Sequence, residues 1–209
     1  MKKAIYKWLE NNPKYKGIIL NILINPVRTR PRLWLRLLMP FYIKRGKNAV
    51  IYRSVRKDIV PFNNFTIGSY SVIEDFSIVN NMVGDVKIGA YSRVGLGNVI
   101  IGPIEIGSHV ILAQNIAISG LDHKYKDVNK RIDEQGVDTD LIVIEDDVWV
   151  GANSIITKGV TIGTHSIVAG GSVVVKNVDS YTIVAGNPAR TVKRYNHRSR
   201  EWEKVIDIK

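Results

Sequence analysis

The 209-residue chain contains no cysteine. That absence excludes a disulfide framework, thiolate metal sites, iron–sulfur clusters and cysteine nucleophiles, and it is compatible with a reducing compartment. No long hydrophobic run is present in the basic N-terminal part either. Its longest apolar stretch, Gly17-Ile-Ile-Leu-Asn-Ile-Leu-Ile24, falls far short of the ~20 residues a membrane-spanning helix needs. A secretory signal is not expected, because Lys14 and Lys16 interrupt the apolar part and no small-residue cleavage site follows. Acidic residues are scarce in one place only. Residues 1–57 hold 15 Lys+Arg and a single carboxylate, Glu10, whereas 58–190 hold 9 basic and 15 acidic residues and 191–209 hold 6 and 3. The formal charge of +11 therefore belongs to a basic leader on a mildly acidic body. Apolar residues at 45% and charged residues at 23% are ordinary for a folded domain and exclude global disorder. Nucleic-acid binding is not expected, since no aromatic platform is interleaved with the basic residues.

In the leader, Ile5, Trp8 and Leu9 share a helical face, as do Leu33, Leu37 and Leu38, with Arg32 and Arg36 on the other side. Pro13, Pro26, Pro31 and Pro40 divide the region into short helices. The spacing predicts a helical cap whose apolar face packs on the rest of the protein. The charge adds attraction to an anionic membrane face or an acidic polymer.

From residue 66 a six-residue period replaces helical spacing. Ile144, Val150, Ile156, Ile162, Val168 and Val174 open six consecutive hexads whose fifth place is Val or Ser throughout. An earlier run opens at Ile88, Val94, Ile100, Ile106, Leu112 and Ile118, preceded by Ile67 and Ile73 and a looser stretch at Val79–Val86. A strict period of six predicts a solenoid. With three hexads per turn, residues 18 apart stack, and nearly all the structure is parallel strand. The small residue after each aliphatic then sits at a crowded corner. The phase breaks once. Twenty extra residues, Leu121–Asp140, separate the hexad of Ile118 from that of Ile144, and a polar excursion of this length at 121–141 is usually functional.

The hexads, the Trp-containing Ile144-Glu-Asp-Asp-Val-Trp-Val-Gly-Ala, Gly159-Val-Thr-Ile-Gly, Val168-Ala-Gly-Gly-Ser-Val and Val184-Ala-Gly-Asn-Pro-Ala-Arg resemble the hexapeptide-repeat acyltransferases. Within that superfamily they are most similar to the sugar and polysaccharide O-acetyltransferases. The resemblance covers about 66–195. It implies an all-β fold, a left-handed parallel β-helix, over the catalytic solenoid (58–190). The helical N-terminal cap (1–57) and a C-terminal tail (191–209), expected to be helical, flank it. The resemblance also implies a homotrimer that binds acetyl-CoA between subunits.

Acyl transfer from a thioester to a hydroxyl needs a base, and histidine suits that work near neutral pH. The resemblance carries the role to His123, at the start of the excursion. Asp122, Glu134 or a backbone carbonyl could orient its ring. Ile132-Asp-Glu-Gln135-Gly136 resembles a stretch that assigns Gln135 to shaping the acceptor site, and Asn115 is a candidate for acceptor hydroxyls. The same resemblance places Trp149 at the edge of the cleft, the coenzyme arm near Gly151, Ala152, Gly170 and Gly171, and its phosphates near Lys176, Arg190 and Lys193. Val175 stands where relatives often have threonine. His109 and His165 share a corner phase and are expected to be solvated. The spacing of 109, 123 and 165 does not supply a carbonic-anhydrase-type zinc site, and no metal is expected.

The expected activity is acetyl-CoA-dependent O-acetylation of a carbohydrate, an acidic or lipid-linked surface glycan. The expected location is the cytoplasm, peripheral to the inner face of the membrane through residues 1–57. Its rivals are N-acetylation of a nucleotide-linked amino sugar, antibiotic acetylation and a non-catalytic β-helix assembly module.

Overall fold

A computed structural model describes residues 12–25 and 27–205. The face formed by Ile5, Trp8 and Leu9, and Pro26, lie outside the described residues.

Three sheets form the walls of a triangular prism, two parallel sheets of six strands and one of nine that is parallel except for its last two strands. Their registers place like on like. Ile88 pairs with Ile106 and Val94 with Leu112, then Ile144 with Ile162 and Val150 with Val168, each 18 positions apart. Ile106 pairs with Ile144, Leu112 with Val150 and Ile118 with Ile156, each 38 apart, so twenty residues are looped out without disturbing any wall. Ile67 pairs with Ile88 across 21 positions, and the looser stretch at 79–86 absorbs the extra three. The inward aliphatics, among them Ile100, Ile104, Ile118, Ile142 and Val150, are fully buried. Each contributes about 1.5–3 kcal/mol of apolar transfer.

The corners explain the rest of the repeat. A Cβ on Gly68 would lie 2.4 Å from the Gly89 carbonyl carbon, and one on Gly89 2.4 Å from that of Gly107, so these coils pack backbone against backbone. The fifth-place serines and Asn98 satisfy buried corner carbonyls. Ser77 Oγ donates to Gly95 O at 3.0 Å and Ser92 Oγ to Gly107 O at 2.7 Å. Asn98 Nδ2 reaches both Gly95 O and Ala113 O at 2.7 Å. Fourth-place residues take the left-handed region, including Tyr91 at φ 58°, His109 at 59° and Asn115 at 56°.

Three expectations need correction. The solenoid starts at Lys44, not at residue 58. Lys44–Arg45, Val50–Ile51 and Arg56–Asp58 pair with 66–67, 72–73 and 78–80 and form a complete first coil. Its hexad openers include Arg45 and Lys57 in place of aliphatics, which hid the phase. The tail is not helical. Ala189–Asn196 and Glu201–Lys204 form an antiparallel hairpin on the nine-stranded sheet, with Tyr195 opposite Trp202. Every second residue of Arg190–Arg194 is the more exposed, which is strand spacing.

The third correction concerns the cap. Its described residues form two helices, α1 (Pro13–Leu23) and α2 (Leu33–Leu37), and a short turn at Met39–Phe41. It docks through Leu35 and Met39, both buried, and through Tyr42, whose phenol lies 3.1 Å from Leu35 O and 3.0 Å from Ile59 O. Burial raises the Tyr42 pKa. Leu33, Leu37 and Leu38, expected to pack inward, are exposed.

Candidate active site

The twenty looped-out residues are built around a hairpin. Leu121–His123 pairs antiparallel with Val137–Thr139, so Asp122 faces Asp138 and His123 faces Val137. Two carboxylates opposite each other would repel, and Lys158, from the coil below, answers both. Its ammonium hydrogen-bonds Asp138 and lies 3.6 Å from Asp122. The Lys158 hydrogen bond and charge hold the Asp138 carboxyl below the usual range, and the Asp138 hydrogen bond raises Lys158. Lys158 was not singled out in the sequence, because its significance depends on the register that brings Asp122 opposite Asp138.

His123 is exposed on this hairpin and lines a cavity of about 670 Å³ with Tyr125, Glu134, Gln135 and Lys158. Neither side-chain candidate for orienting its ring is in place. Asp122 lines the same cavity, but its carboxylate lies 3.6 Å from the Lys158 ammonium and makes no hydrogen bond to the His123 ring. Glu134 pairs with Arg131 at 3.0 Å. Among the described residues no side chain hydrogen-bonds the His123 ring.

Gln135 does come to the cavity, but its amide is already committed. Its Oε1 accepts the Asp127 N–H at 3.0 Å, and its Nε2 donates to Asp127 O at 2.9 Å and Lys130 O at 3.0 Å. The side chain holds the loop in shape and has no donor left over.

The remaining candidates lie elsewhere on the chain. Asn115 does not line the His123 cavity. It occupies a left-handed corner that also contains Gly97, Asn153 and Gly171, positions that favour glycine or asparagine. Trp149 is half exposed on the nine-stranded sheet, between Ile111 and Ile167. Next to it Gly151, Ala152, Gly170 and Gly171 do gather at one corner. There Gly171 N–H donates to Ala152 O at 2.8 Å, and a Cβ on Gly151 would lie 2.5 Å from Gly170 N. The close approach at Gly151 is thus between coils. At Gly171 the space is open: a Cβ there would meet nothing within 4 Å. Arg190 pairs with Ala185 and Lys193 with Ile183 in the final strands, and Lys176 follows the strand Val173–Val174. None of these three cations is in an ion pair among the described residues.

His109 and His165 do share a corner, but neither is simply solvated. His109 stacks on Tyr91 at 5.1 Å, and Tyr91 on Tyr70 at 5.2 Å. His165 Nδ1 bonds the Asp147 carboxylate. Among the described residues no three His, Asp or Glu side chains are grouped to hold a metal.

Comparisons with known proteins agree with this geometry. Residues 142–176 match the family described as bacterial transferase hexapeptide (six repeats). The chain is 29% identical over 203 residues to a "Probable acetyltransferase" of Mycobacterium tuberculosis, covering 96% of this chain and 64% of that protein. It is 31% identical over 100 residues to the galactoside O-acetyltransferase of Escherichia coli, covering 47% of this chain and 48% of that one. It therefore spans less than two thirds of the length of these curated relatives. In structure it is similar to AntD, an N-acyltransferase from Bacillus cereus in complex with dTDP and 3-hydroxybutyryl-CoA. The TM-score is 0.66 at 24% identity, over 78% of this chain and 89% of that one. With its unbroken registers, its glycine corners and a hairpin histidine that no described side chain hydrogen-bonds, the chain carries the hexapeptide repeat of bacterial transferases at 142–176 and is similar to acetyltransferases of that kind.

Proposed function

We propose that the protein transfers an acetyl group from acetyl-CoA to a carbohydrate hydroxyl, in surface polysaccharide assembly. The observation that carries this is His123, an exposed imidazole that no described side chain hydrogen-bonds, in a cavity of about 670 Å³ on the excursion from the solenoid. A ring nitrogen of His123 takes the proton from the acceptor hydroxyl as that oxygen forms its bond to the acetyl carbon. The same nitrogen returns the proton to the departing coenzyme sulfur. Coenzyme A supplies the activated thioester.

The residues that would hold it fit. The corner at Gly171 is open, small residues flank it, and Lys176, Arg190 and Lys193 are cations with no carboxylate partner among the described residues, suited to phosphates. Trp149 borders that region. The AntD complex, a likeness of fold, and the likeness to galactoside O-acetyltransferase both support this reading. Within one chain the His123 cavity is not lined by Trp149 or by the Gly171 corner. A site using both halves needs the hairpin of one copy against the corner of the next, which supports a homotrimer. Gln135 shapes the acceptor side by holding the loop. The proposed place of work is the cytoplasm, at the inner face of the membrane.

The test is mass spectrometry of surface glycans incubated with the protein and acetyl-CoA, with paired hydroxyl and amine acceptors. O-acetylated products that vanish with His123→Ala support the reading. Acetylation of the amine alone replaces it with N-acetyl transfer, and full activity of His123→Ala refutes the mechanism.

A further inference from the structure

The cap leaves exposed what a docked helix normally buries. Val27 is 90% exposed, Leu33 69%, Leu37 71% and Phe41 85%, and Trp34 and Leu38 are also open. Single exposed apolar residues are normal, but here six fall within fifteen positions and three of them, Leu33, Trp34 and Leu37, line one cavity. The arginines lie among them. Arg28, Arg30 and Arg36 line a cavity of about 660 Å³ together with Leu33, Trp34 and Leu37. Arg30 and Arg36 also line an adjoining cavity of about 250 Å³ with Arg53, Arg56 and Lys57.

Most of these cations lack a counter-ion among the described residues, and the one carboxylate lining the smaller cavity is Asp58. Between residues 27 and 58 the sequence has ten Lys and Arg and one carboxylate, Asp58. That carboxylate is buried and lies 2.7 Å from Arg56. Arg30, Arg36 and Arg53 are in no ion pair among the described residues. The Lys57 pKa is lowered, mainly by burial and then by the charges of Arg36 and Arg45. Cations held this close are relieved by an external anion, and the two shared arginines bring that anion beside apolar side chains.

We propose that this face docks on an anionic phospholipid surface, with lipid phosphates entering the arginine cavities and Leu33, Leu37 and Phe41 entering the headgroup boundary. The mode is interfacial. α1 has eleven residues and is about 16 Å long, roughly half of a ~30 Å hydrocarbon core, and no helix among the described residues is long and apolar enough to cross. A polar, cation-rich side next to apolar anchors is the composition such binding requires. The inference does not depend on the chemistry at His123. It names what would hold the enzyme beside a lipid-linked acceptor.

The test is co-sedimentation of the full chain with phosphatidylcholine vesicles, with and without phosphatidylglycerol. Binding is expected only with phosphatidylglycerol. It should weaken as salt rises from about 0.1 M to about 1 M and the screening length contracts from ~10 Å to ~3 Å. Each arginine near the surface is expected to contribute about fivefold, so Arg28→Gln, Arg30→Gln and Arg36→Gln together should weaken partitioning on the order of a hundredfold. Arg32 is left in place because its guanidinium holds Asn21 O at 3.0 and 2.8 Å. Leu33→Ser with Phe41→Ser should weaken binding at every salt concentration, with oligomeric state, circular dichroism and transfer to a soluble acceptor unchanged. Equal binding to both vesicle types, or unchanged binding by both variants, overturns the proposal. So does dissociation of the oligomer by the apolar variant, which would make the patch a subunit contact. Full displacement from vesicles by inorganic pyrophosphate would reassign the cavities to a soluble phosphate ligand.

Discussion

Gln135→Ala removes the side chain that closes residues 127–135 on themselves. Three hydrogen bonds are lost, one accepted from Asp127 N–H and two donated to the carbonyls of Asp127 and Lys130. At about 1 kcal/mol each, and discounting the Lys130 contact for its exposure, the loop loses roughly 2 kcal/mol. At tenfold per 1.4 kcal/mol, hydrogen exchange at the Asp127 amide should accelerate about thirtyfold. The acceptor KM should rise while the acetyl-CoA KM and the melting temperature hold, because the excursion lies outside the stacked registers. Gln135→Glu should be worse than alanine, since it sets a charged oxygen against two carbonyls. Hydrogen exchange by mass spectrometry and initial-rate kinetics read both effects. Unchanged protection at Asp127 together with an unchanged acceptor KM would refute the reasoning.

His123→Ala should abolish transfer while leaving circular dichroism and melting intact, since the ring makes no side-chain hydrogen bond among the described residues. Lys158→Ala should fray the hairpin at neutral pH, with an inverted pH dependence. In the native chain the lowered Asp138 pKa stabilises the hairpin above the ordinary carboxylate range, and that stabilisation is lost as pH falls through the lowered value. In the variant two facing carboxylates repel until they are protonated, so acid should restore order; NMR of the Val137 amide follows both. Gly89→Ala drives a Cβ to 2.4 Å from the Gly107 carbonyl carbon, where only backbone could yield. At about 3 kcal/mol or more, it should lower the melting temperature by roughly 6–12 °C. Gly136→Ala meets open space at φ 77° and should cost only about 1 kcal/mol.

Ile144 to Val174 announced the solenoid because each inward position sees only other inward positions, so its chemistry cannot vary. The first coil was hidden because that condition lapses at an end. Arg45 and Lys57 can stand in the aliphatic phase where no further coil lies above and the cap supplies Leu35 and Met39 instead. Leu33 and Leu37 looked inward because helical spacing reveals a face and not its partner. The excursion and His123 were legible as a broken phase. The fate of Gln135 was not, since an amide's partners are fixed by the loop it closes. Lys158 was invisible for a related reason: its two partners, Asp122 and Asp138, are sixteen residues apart and meet only through the hairpin. Asn115 is a candidate for acceptor hydroxyls from its place eight residues before His123, and its left-handed corner favours asparagine independently.

The three walls keep their pairing across the excursion, so the solenoid behaves as a chassis with a socket. Residues 121–140 can be lengthened, recharged or exchanged without any inward aliphatic changing its neighbour. The surfaces proposed for donor and acceptor are thereby mechanically independent. New acceptors can be acquired by replacing one insert, and the machinery that would hold the thioester need not be rebuilt.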